Sequence, residues 1–374
     1  MGTLEERRAA GAAVMDERKL WPQEPDAAWV RDAVTGLPRD AFCPDRLFVW
    51  DGDSAYVPVD RGTDPDGWAR AVHPDSPFDG TVTQIGADGL PSSSVSCVTV
   101  VADMLDSLVL EKDQRVLELG TGAGWNAGLL ALRAGPGRVV SVEIDPGLAS
   151  AAGARLKAAG LDADVRTGDA ASGAPDRAPY DRVIATYAVE RVPWAWVAQT
   201  RPGGRIVTPW GRLGHVALTV ADDGRRAEGW VQGLATFMPA RGVGQGLSLD
   251  AVRASAPVTR ESTVRRDPAP LADGHLLFAL RVSHPALRVF ADGSTVAVHD
   301  GVSSWAVARP GTDGLLRVTG GGPGDVWADV LTGWDHWTAQ GSPELWDFGM
   351  TVTPTTQTVW LHDPEKGPYA PAAR

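Results

Sequence analysis

Hydrophobic and polar positions follow a regular rhythm in the middle of the chain. Between residues 98 and 220, short apolar runs typical of buried strands alternate with segments whose apolar residues recur at helical spacing. The predicted strands read RVLEL, RVVSVEID, ADVRTGD, YDRVIAT, RIVTPW and HVALTV, with a turn at RPGG, and the predicted helices cover 98–110, 123–134, 147–159 and 193–200. Strands that alternate with helices predict a doubly wound α/β fold, a mostly parallel sheet with helices on both faces.

The segments on either side of this region have different patterns. The first forty residues have apolar residues at helical spacing around Trp29 and Val34, and LFVW and AYVPV then read as short β-like pieces. Beyond 240, LLFALRVSH, LRVFA, STVAVHD, SSWAVA and LLRVTG read as strands, DVWADVLTGWDHWTA as a helix, and GMTVTP and TVWLH as strands again. We therefore predict an N-terminal helical and irregular segment (1–90), a central domain (91–240) and a smaller α+β C-terminal extension (241–374).

Charge and cysteine content narrow the classes of function. The net charge of the 374-residue chain is −12, and no basic stripe supplies phosphate contacts, so we expect neither a nucleic-acid partner nor an anionic membrane surface. Cys43 and Cys97 cannot form a disulfide framework, and the charged N-terminus does not read as a signal peptide. The low cysteine content favours a reducing cytoplasm, and no apolar run reaches the length of a membrane span.

A glycine-rich turn follows the first strand of the central domain. The stretch VLELGTGAGWNA ends an apolar run at Glu118 and places glycines at 120, 122 and 124. A strand that ends in such a turn and leads into a helix forms a ligand site at the carboxyl edge of the sheet, because glycine lets the backbone approach a ligand closely. The pattern Gly122-x-Gly124-x-x-Ala127 also satisfies the dinucleotide fingerprint, so NAD or FAD would fit the turn taken alone.

Acidic residues at three strand ends favour a different ligand. Glu118 would repel a pyrophosphate but not a cation. Glu143, nineteen residues after Gly124, can accept hydrogen bonds from two ribose hydroxyls, and Gly168-Asp169 can bond an adenine amine. S-adenosylmethionine combines an adenine, a ribose, a sulfonium and an aminocarboxylate without phosphate, and we predict it as the cofactor.

Each of these features also has a purely structural interpretation. The glycines can form a tight turn, Glu143 can be a solvated strand end, and Asp169 can cap the segment that begins at Ala170. Their combination at these spacings favours cofactor binding. The predicted cofactor-binding residues are Glu118, Gly120, Thr121, Gly122, Gly124, Asn126, Glu143, Ile144, Gly168, Asp169, Ala170 and Thr186.

Several further stretches carry a family resemblance. They are VTGLPRDAFCP at 34–44, DSP at 75–77, DRVIATYAVERVP at 181–193, RPGGRIVTPWG at 201–211 and ATFMP at 235–239. From Val34 to about Met238 the chain resembles the protein-L-isoaspartate (D-aspartate) O-methyltransferases. The resemblance implies a Rossmann-like class I methyltransferase sheet, S-adenosylmethionine as cofactor, and a peptide or protein substrate that bears Asp or isoaspartate.

The substrate loop of that family departs from its pattern in this chain. The family reads A-T-I-S-A-P-H-M-H-A before the helix that precedes the glycine motif, and here the position reads SSSVSCVTVV. Ser93, Ser94 and Ser96 keep the hydroxyl groups, whereas the proline and both histidines are absent. The resemblance implies that these serines orient the substrate carboxylate and are the catalytic residues; taken without it, they would read as a polar loop.

The C-terminal extension carries a second, less specific resemblance. Its tryptophan-rich tail is similar to longer actinobacterial relatives that accompany ribosomal peptide maturation in lanthipeptide, lasso or graspetide systems. This implies methylation of one Asp in a constrained or macrocyclic precursor peptide, followed by collapse of the ester to an aspartimide. General repair of isoaspartyl residues is the alternative, and a cofactor-binding scaffold of a maturation complex is the non-enzymatic one. The tryptophans that either pack the core or line a peptide-docking face are Trp305, Trp327, Trp334, Trp337, Trp346 and Trp360.

The expected chemistry needs no strong general base. A substrate carboxylate is already ionised at neutral pH, which agrees with the lack of a His–Asp, Cys–His or metal-ligand pattern in the sequence. Alignment of the carboxylate with the reactive methyl group would supply the catalysis. Arg39, Arg182 and Arg191 are candidates to offset the acidity of the chain near an anionic substrate, although each reads by default as a solvated surface charge.

Overall fold

The computed structural model describes residues 3–211, 213–243, 246–292, 295–311, 313 and 315–371. Contacts divide the chain into two units. The first comprises the described residues of 1–210, 215–229 and 352–356, and the second those of 211–214, 230–351 and 357–374. Residues 1–90, which we predict as an N-terminal segment that packs on the core, belong to the same unit as the glycine motif.

The helices and strands up to residue 233 form the first unit, apart from the few residues of β10 and β11 that belong to the second. The helices are α1 Leu4–Glu17, α2 Ala28–Gly36, α3 Pro65–Val72, α4 Val98–Leu108, α5 Trp125–Ala134, α6 Pro146–Ala158 and α7 Trp194–Ala198. The strands are β1 Arg46–Trp50, β2 Tyr56–Asp60, β3 Thr81–Ile85, β4 Pro91–Val95, β5 Val116–Leu119, β6 Val139–Glu143, β7 Ala163–Thr167, β8 Tyr180–Ala185, β9 Thr200–Trp210, β10 Gly214–Val220 and β11 Ala227–Gly233.

A mostly parallel sheet positions the glycine motif. The strands that begin before residue 233 run in the order β11-β10-β9-β8-β5-β6-β7 in this sheet, and β5 pairs in parallel with both β6 and β8. Every residue of β5 and β6 is buried, as expected for strands covered on both faces. The next strand along the chain, β6, lies on one side of β5, and β8 lies on the other side. The strand order therefore reverses at β5, and the carboxyl ends of these strands form the crevice at which open α/β sheets bind ligands. The predicted fold class is confirmed.

A small antiparallel sheet carries the serine segment. Its order is β2-β1-β3-β4, and β3 and β4 form a hairpin in which Val82 pairs with Ser94. The sequence analysis did not predict β3 or β4, because Thr-Val-Thr-Gln-Ile and Pro-Ser-Ser-Ser-Val lack the large apolar residues by which the other strands are recognised.

The second unit has a sheet of its own. Its helices are α8 Leu249–Ser255, α9 Gly274–Ser283 and α10 Val326–Ala339, and its strands are β12 Val258–Val264, β13 Arg288–Asp292, β14 Thr295–His299, β15 Trp305–Pro310, β16 Leu316–Gly321, β17 Phe348–Val352 and β18 Gln357–Leu361. Strands β12 to β16 are antiparallel in the order β12-β16-β15-β14-β13. Five of the six tryptophans of the extension are buried here, and only Trp346 is largely exposed, at 50%.

Two predicted elements were wrong or incomplete. LLFALRVSH is not a strand but lies in helix α9, which Asp273 caps by accepting a hydrogen bond from the His275 amide. Leu276, Phe278, Ala279, Leu280 and Arg281 are all buried, so the helix shows no amphipathic period that would separate it from a buried strand. RPGG lies inside β9, where the register with β8 shifts, and forms a bulge rather than a turn between elements.

Candidate functional site

The glycine turn between β5 and α5 depends on glycine at three positions. The φ angles are +95° at Gly120, +54° at Gly122 and +92° at Gly124, a region that other residues adopt only with strain. A Cβ on Gly120 would lie 2.5 Å from Thr186 Oγ1, which itself donates a hydrogen bond to the Gly120 carbonyl oxygen. Thr186 at the end of β8 thus holds the turn, and the structure brings these predicted residues together.

Glu118 lies inside the protein rather than on the surface of the crevice. It is fully buried, Asn126 Nδ2 donates to its Oε1 at 2.8 Å, and the Ser141 hydroxyl donates to Oε2. Thr121 Oγ1 lies 2.5 Å from Ser141 Oγ and extends this network. Burial raises the pKa of Glu118 to about 7. The raised pKa favours the neutral acid, so the charge of Glu118 argues against a pyrophosphate less strongly than the sequence suggests.

Glu143 stands where β6 ends and faces the glycine turn. Its Oε2 accepts a hydrogen bond from the Gly122 amide at 2.8 Å, and Oε1 accepts one from the Asp145 amide at 3.1 Å. A carboxylate has about four acceptor positions, so two remain for ribose hydroxyls. The side chain of Ile144 is 48% exposed next to this acid and offers an apolar surface to a flat ring.

Gly168, Asp169 and Ala170 follow β7 at the same edge of the sheet. The Gly168 amide donates to the carbonyl oxygen of Glu143 at 2.9 Å, which joins the two strand ends. Asp169 Oδ1 accepts from the Ala171 amide and caps the short 3-10 helix Ala170–Ser172. The capping role proposed as the structural alternative is thus present, and a bond from Asp169 to an adenine amine stays a prediction.

The serine segment lies against the glycine turn. A Cβ on Gly122 would lie 3.7 Å from Ser93 Oγ and 3.7 Å from the carbonyl oxygen of Ser94. Ser93 is buried and accepts a hydrogen bond from the Thr83 hydroxyl at 3.1 Å, whereas Ser94 and Ser96 are half-buried. The predicted catalytic and cofactor-binding residues therefore meet, although their sequence positions are about thirty residues apart.

Arg39 holds the serine segment and is not a solvated surface charge. It is 4% exposed, and its two Nη atoms donate to the carbonyl oxygens of Ser96 at 2.7 Å and Val95 at 2.8 Å and to Thr81 Oγ1 at 2.9 Å. Its guanidinium carbon lies 5.4 Å from the ring centroid of Trp125, the first residue of α5. One buried side chain thus contacts both the serine hairpin and the helix after the glycine turn.

The other two candidate arginines lie elsewhere. Arg182 is also buried, and its Nε donates to the Val109 carbonyl oxygen, so it too is not a solvated charge. Arg191 is exposed and its Nη2 lies 3.4 Å from the Thr355 carbonyl oxygen. These hydrogen bonds go to residues outside the glycine turn and the serine segment, and we no longer assign the two arginines a role toward the substrate.

Sequence reasoning missed two residues beside the site. Gln84 of β3 accepts a hydrogen bond from the Ser92 hydroxyl and donates one to Asp145 Oδ2 at 3.2 Å, which connects the serine hairpin to the end of β6. The Tyr187 ring packs against Gly120, since a Cβ there would lie 2.9 Å from Tyr187 Cδ1. Tyr187 could have been found, because it follows Thr186 at a strand end, whereas Gln84 gives no signal in the sequence.

This donor set fits S-adenosylmethionine. Two acceptor positions of Glu143 suit a ribose, Ile144 suits an adenine face, and the missing side chain at Gly122 leaves room beside the serine segment, since the nearest atoms would lie 3.7 Å from an added Cβ. Within the described ranges, no cluster of three or more His, Cys, Asp and Glu side chains could hold a metal ion. Across the same part of the chain, no helix combines the length and apolar character needed to cross a membrane.

Comparison with known proteins gives one consistent family. The family model described as protein-L-isoaspartate(D-aspartate) O-methyltransferase matches residues 53–235. The protein-L-isoaspartate O-methyltransferase of Methylorubrum extorquens is 34% identical over 240 residues, which cover 63% of this chain and 91% of that protein. The enzyme of the same name from Anaeromyxobacter dehalogenans is 49% identical over 120 residues, 32% of this chain and 56% of that protein.

A solved structure supports the fold over almost the whole chain. A structure named protein-L-isoaspartate O-methyltransferase has a TM-score of 0.51 at 18% identity and covers 95% of this chain and 100% of that one. The relative that is covered over 91% of its length carries the assignment, and the family-model match agrees with it. The chain belongs to the protein-L-isoaspartate (D-aspartate) O-methyltransferase family, and it has a class I methyltransferase fold whose cofactor is S-adenosylmethionine.

Proposed function

We propose that this chain transfers a methyl group from S-adenosylmethionine to the free carboxylate of an isoaspartyl residue in a peptide or protein. The observation that carries the proposal is the position of the serine segment, with Ser93 Oγ and the Ser94 carbonyl oxygen next to Gly122 of the cofactor turn. A carboxylate held by that segment would lie at the end of the cofactor where the methyl group is bound.

Alignment and removal of water account for the chemistry. When bound, S-adenosylmethionine supplies an electrophilic methyl group that a carboxylate oxygen can attack. The hydroxyl groups of Ser94 and Ser96 orient that oxygen, and Arg39 fixes the backbone that carries them. The hydrogen bonds must remain few, because each strong donor makes the carboxylate a weaker nucleophile. Exclusion of water from the crevice favours the attack, since the hydration shell of the carboxylate is removed.

The ester explains what the reaction achieves. The backbone nitrogen of the residue that follows in the substrate attacks the ester carbonyl carbon, methanol leaves, and a succinimide ring closes. This step needs no side chain of the enzyme. Water that opens the ring restores an aspartyl residue in part of the molecules, and the net result is repair of the isoaspartyl linkage.

The isoaspartyl substrate is favoured by the names of the relatives. Both relatives described above are named for this substrate, and one of them is matched over 91% of its length. The C-terminal unit does not argue against it, because the solved structure with that name has a fold that extends over 95% of this chain.

A second candidate is methylation of one Asp in a ribosomally made precursor peptide, with an aspartimide as the product. The serine segment favours it, because SSSVSC replaces the family pattern that contains a proline and two histidines. Macrocyclisation of the precursor before methylation belongs to this candidate. We rank it second, since the tail tryptophans are mostly core residues and only Trp346 is exposed enough to dock a peptide.

Methyl transfer from deuterated S-adenosylmethionine distinguishes the candidates. A short isoaspartyl peptide, its Asp counterpart and a cyclised precursor peptide are incubated separately with the protein, and the products are analysed by mass spectrometry. We expect a base-labile label on the isoaspartyl peptide. A preference for the cyclised peptide would select the second candidate, and no label on any of them would favour a cofactor-binding scaffold.

A double variant tests the assigned serines. Ser94→Ala with Ser96→Ala should lower kcat about 100-fold, the order of effect of removing groups that orient a reacting atom. Ser150→Ala on the exposed face of α6 is the matched control and should leave the rate unchanged. Full activity of the double variant would contradict the role of the serine segment.

A further inference from the structure

A cavity lies beside helix α1 in the first unit. It encloses about 590 Å³ including its open mouth. Four of its lining residues can carry positive charge, namely Arg7, Arg8, Arg39 and His73. Its other walls include Met15, Val34, Val72, Pro77, Val98 and Trp125, which are apolar. Neither the predicted serines nor the three glycines of the turn line it, so among the described residues it is separate from the site above.

Among the described residues, the positive charge of Arg39 has no carboxylate partner. Its Nη atoms bond backbone carbonyl oxygens and a threonine hydroxyl, and its Nε has no hydrogen-bond partner among the described residues. A guanidinium group stays protonated even when buried, and a buried charge without a counter-ion destabilises the state that contains it. An anion in the cavity would supply the missing counter-charge.

The two arginines of α1 add to this charge. Arg7 makes no side-chain hydrogen bond or ion pair with any described residue. Arg8 pairs with Asp40 at 3.2 Å, but its buried Nε has no hydrogen-bond partner in the described part of the chain. Asp40 also accepts from His73 at 3.3 Å. Asp79 is the carboxylate in the cavity lining, and it is exposed. The lining therefore keeps an excess of positive charge in a chain whose net charge is −12.

The cavity is within reach of a peptide bound at the serine segment. Arg39 both lines the cavity and bonds the carbonyl oxygens of Val95 and Ser96. Val98, another lining residue, follows Ser96 by two positions, a span of at most about 7 Å at 3.3–3.6 Å per residue. An extended substrate advances at about the same rate, so a side chain two to four residues from the methylated position can enter the cavity.

We propose that this cavity is a second subsite of the substrate-binding surface and takes an acidic side chain, preferably glutamate, near the residue that is methylated. Apolar walls suit the methylene groups of glutamate, and the guanidinium groups of Arg7, Arg8 and Arg39 suit its carboxylate. The inference rests on the proposed peptide substrate, and it adds a sequence preference to that function.

A series of peptides tests the proposal. An isoaspartyl peptide with glutamine at the three positions on each side is compared with six versions that carry a single glutamate. The KM of each is measured with saturating S-adenosylmethionine for the wild type and for Arg7→Gln, Arg8→Gln and Arg70→Gln. Arg70 is exposed on α3 and makes no side-chain contact with the cavity, so Arg70→Gln removes the same charge elsewhere.

At one or two positions we expect glutamate to lower the KM about tenfold in the wild type and in Arg70→Gln. The ratio should shrink as salt is raised and should approach one in Arg7→Gln and Arg8→Gln. The inference is overturned if no position shows a preference, or if the preference survives in both α1 variants.

The outcomes separate this inference from the proposed function. Methylation of the all-glutamine peptide without any preference for glutamate would retain the function and reject the subsite. If no peptide is methylated, the function fails, and calorimetric binding of the same glutamate and glutamine pairs, with S-adenosylhomocysteine present, decides the subsite by itself. Equal affinities for the two peptides in that titration would reject it.

Discussion

The glycine turn and the serine segment meet at Gly122, but the chain builds them in different ways. The turn is local: two fully buried strands end beside it, and three glycines with positive φ angles bend it. The serine segment depends on distant groups, since Arg39 lies 57 residues before Ser96 and supplies its hydrogen bond. The cofactor half of the site therefore follows from short-range sequence, and the substrate half follows from tertiary contacts.

The largest effect is expected for Gly120→Ala. The φ angle of +95° and the 2.5 Å approach to Thr186 Oγ1 leave no place for a methyl group, so the turn must move. We expect affinity for S-adenosylmethionine, measured by calorimetry, to fall by at least about 100-fold. Gly153→Ala in α6 is the control and should bind normally, because no described atom beyond the local backbone of the helix lies within 4 Å of its added Cβ. Wild-type affinity of Gly120→Ala would show that the turn does not contact the cofactor.

Arg39→Lys should separate the two halves of the site. Lysine keeps the charge but cannot donate in fork geometry to Val95, Ser96 and Thr81 together, so the serine segment should shift. We expect kcat/KM for an isoaspartyl peptide to fall about 30-fold, because small displacements of a positioning group are costly. The Kd of S-adenosylhomocysteine should change less than about threefold, and Arg70→Lys should change neither. A parallel loss of both quantities would mean that the two halves form one cooperative structure.

Glu143→Gln should weaken cofactor binding and leave the serine segment unchanged. The variant loses the charge that accepts from the Gly122 amide and leaves fewer acceptor positions for a ribose. Hydrogen bonds to charged groups contribute about 1.5–3 kcal/mol, so we expect the Kd of S-adenosylhomocysteine to rise about tenfold or more. Asp162→Asn, an exposed acid before β7, serves as the control of equal charge and should bind as the wild type does. An unchanged Kd in Glu143→Gln would place the ribose elsewhere.

The smallest effect concerns Glu118 and the pH dependence of stability. Its folded-state pKa is raised from 4.5 to about 7 by burial, so this group stabilises the fold below pH 4.5 and that contribution is lost as pH rises through about 7. Glu118→Gln does not titrate. Between pH 5 and pH 8.5, the melting temperature of the variant should therefore rise by a few degrees relative to the wild type. A constant difference across that range would contradict the raised pKa.

The sheet could be predicted from the sequence, and the predicted cofactor residues lie together at its edge, because the features that identify both are local. Buried apolar runs identify β5 and β6, and the spacing of Gly124 and Glu143 is set by one helix and one strand. The prediction for LLFALRVSH was wrong, because a helix that is buried on most of its surface shows no amphipathic period. The burial of Glu118 could not be predicted, because its enclosure by Asn126 and Ser141 depends on tertiary packing. The burial of Arg39 could not be predicted either, because its acceptors are backbone atoms that lie far away in the sequence.

The central claim is that the glycine turn binds S-adenosylmethionine with its methyl group toward a carboxylate held by the serine segment. A crystal structure with S-adenosylhomocysteine and an isoaspartyl peptide tests it most directly. We predict that the ribose hydroxyls lie within hydrogen-bond distance of Glu143 and that the peptide carboxylate lies beside Ser94, pointing at the sulfur. A ribose away from Glu143, or a carboxylate with no contact to residues 93–96, would contradict the account.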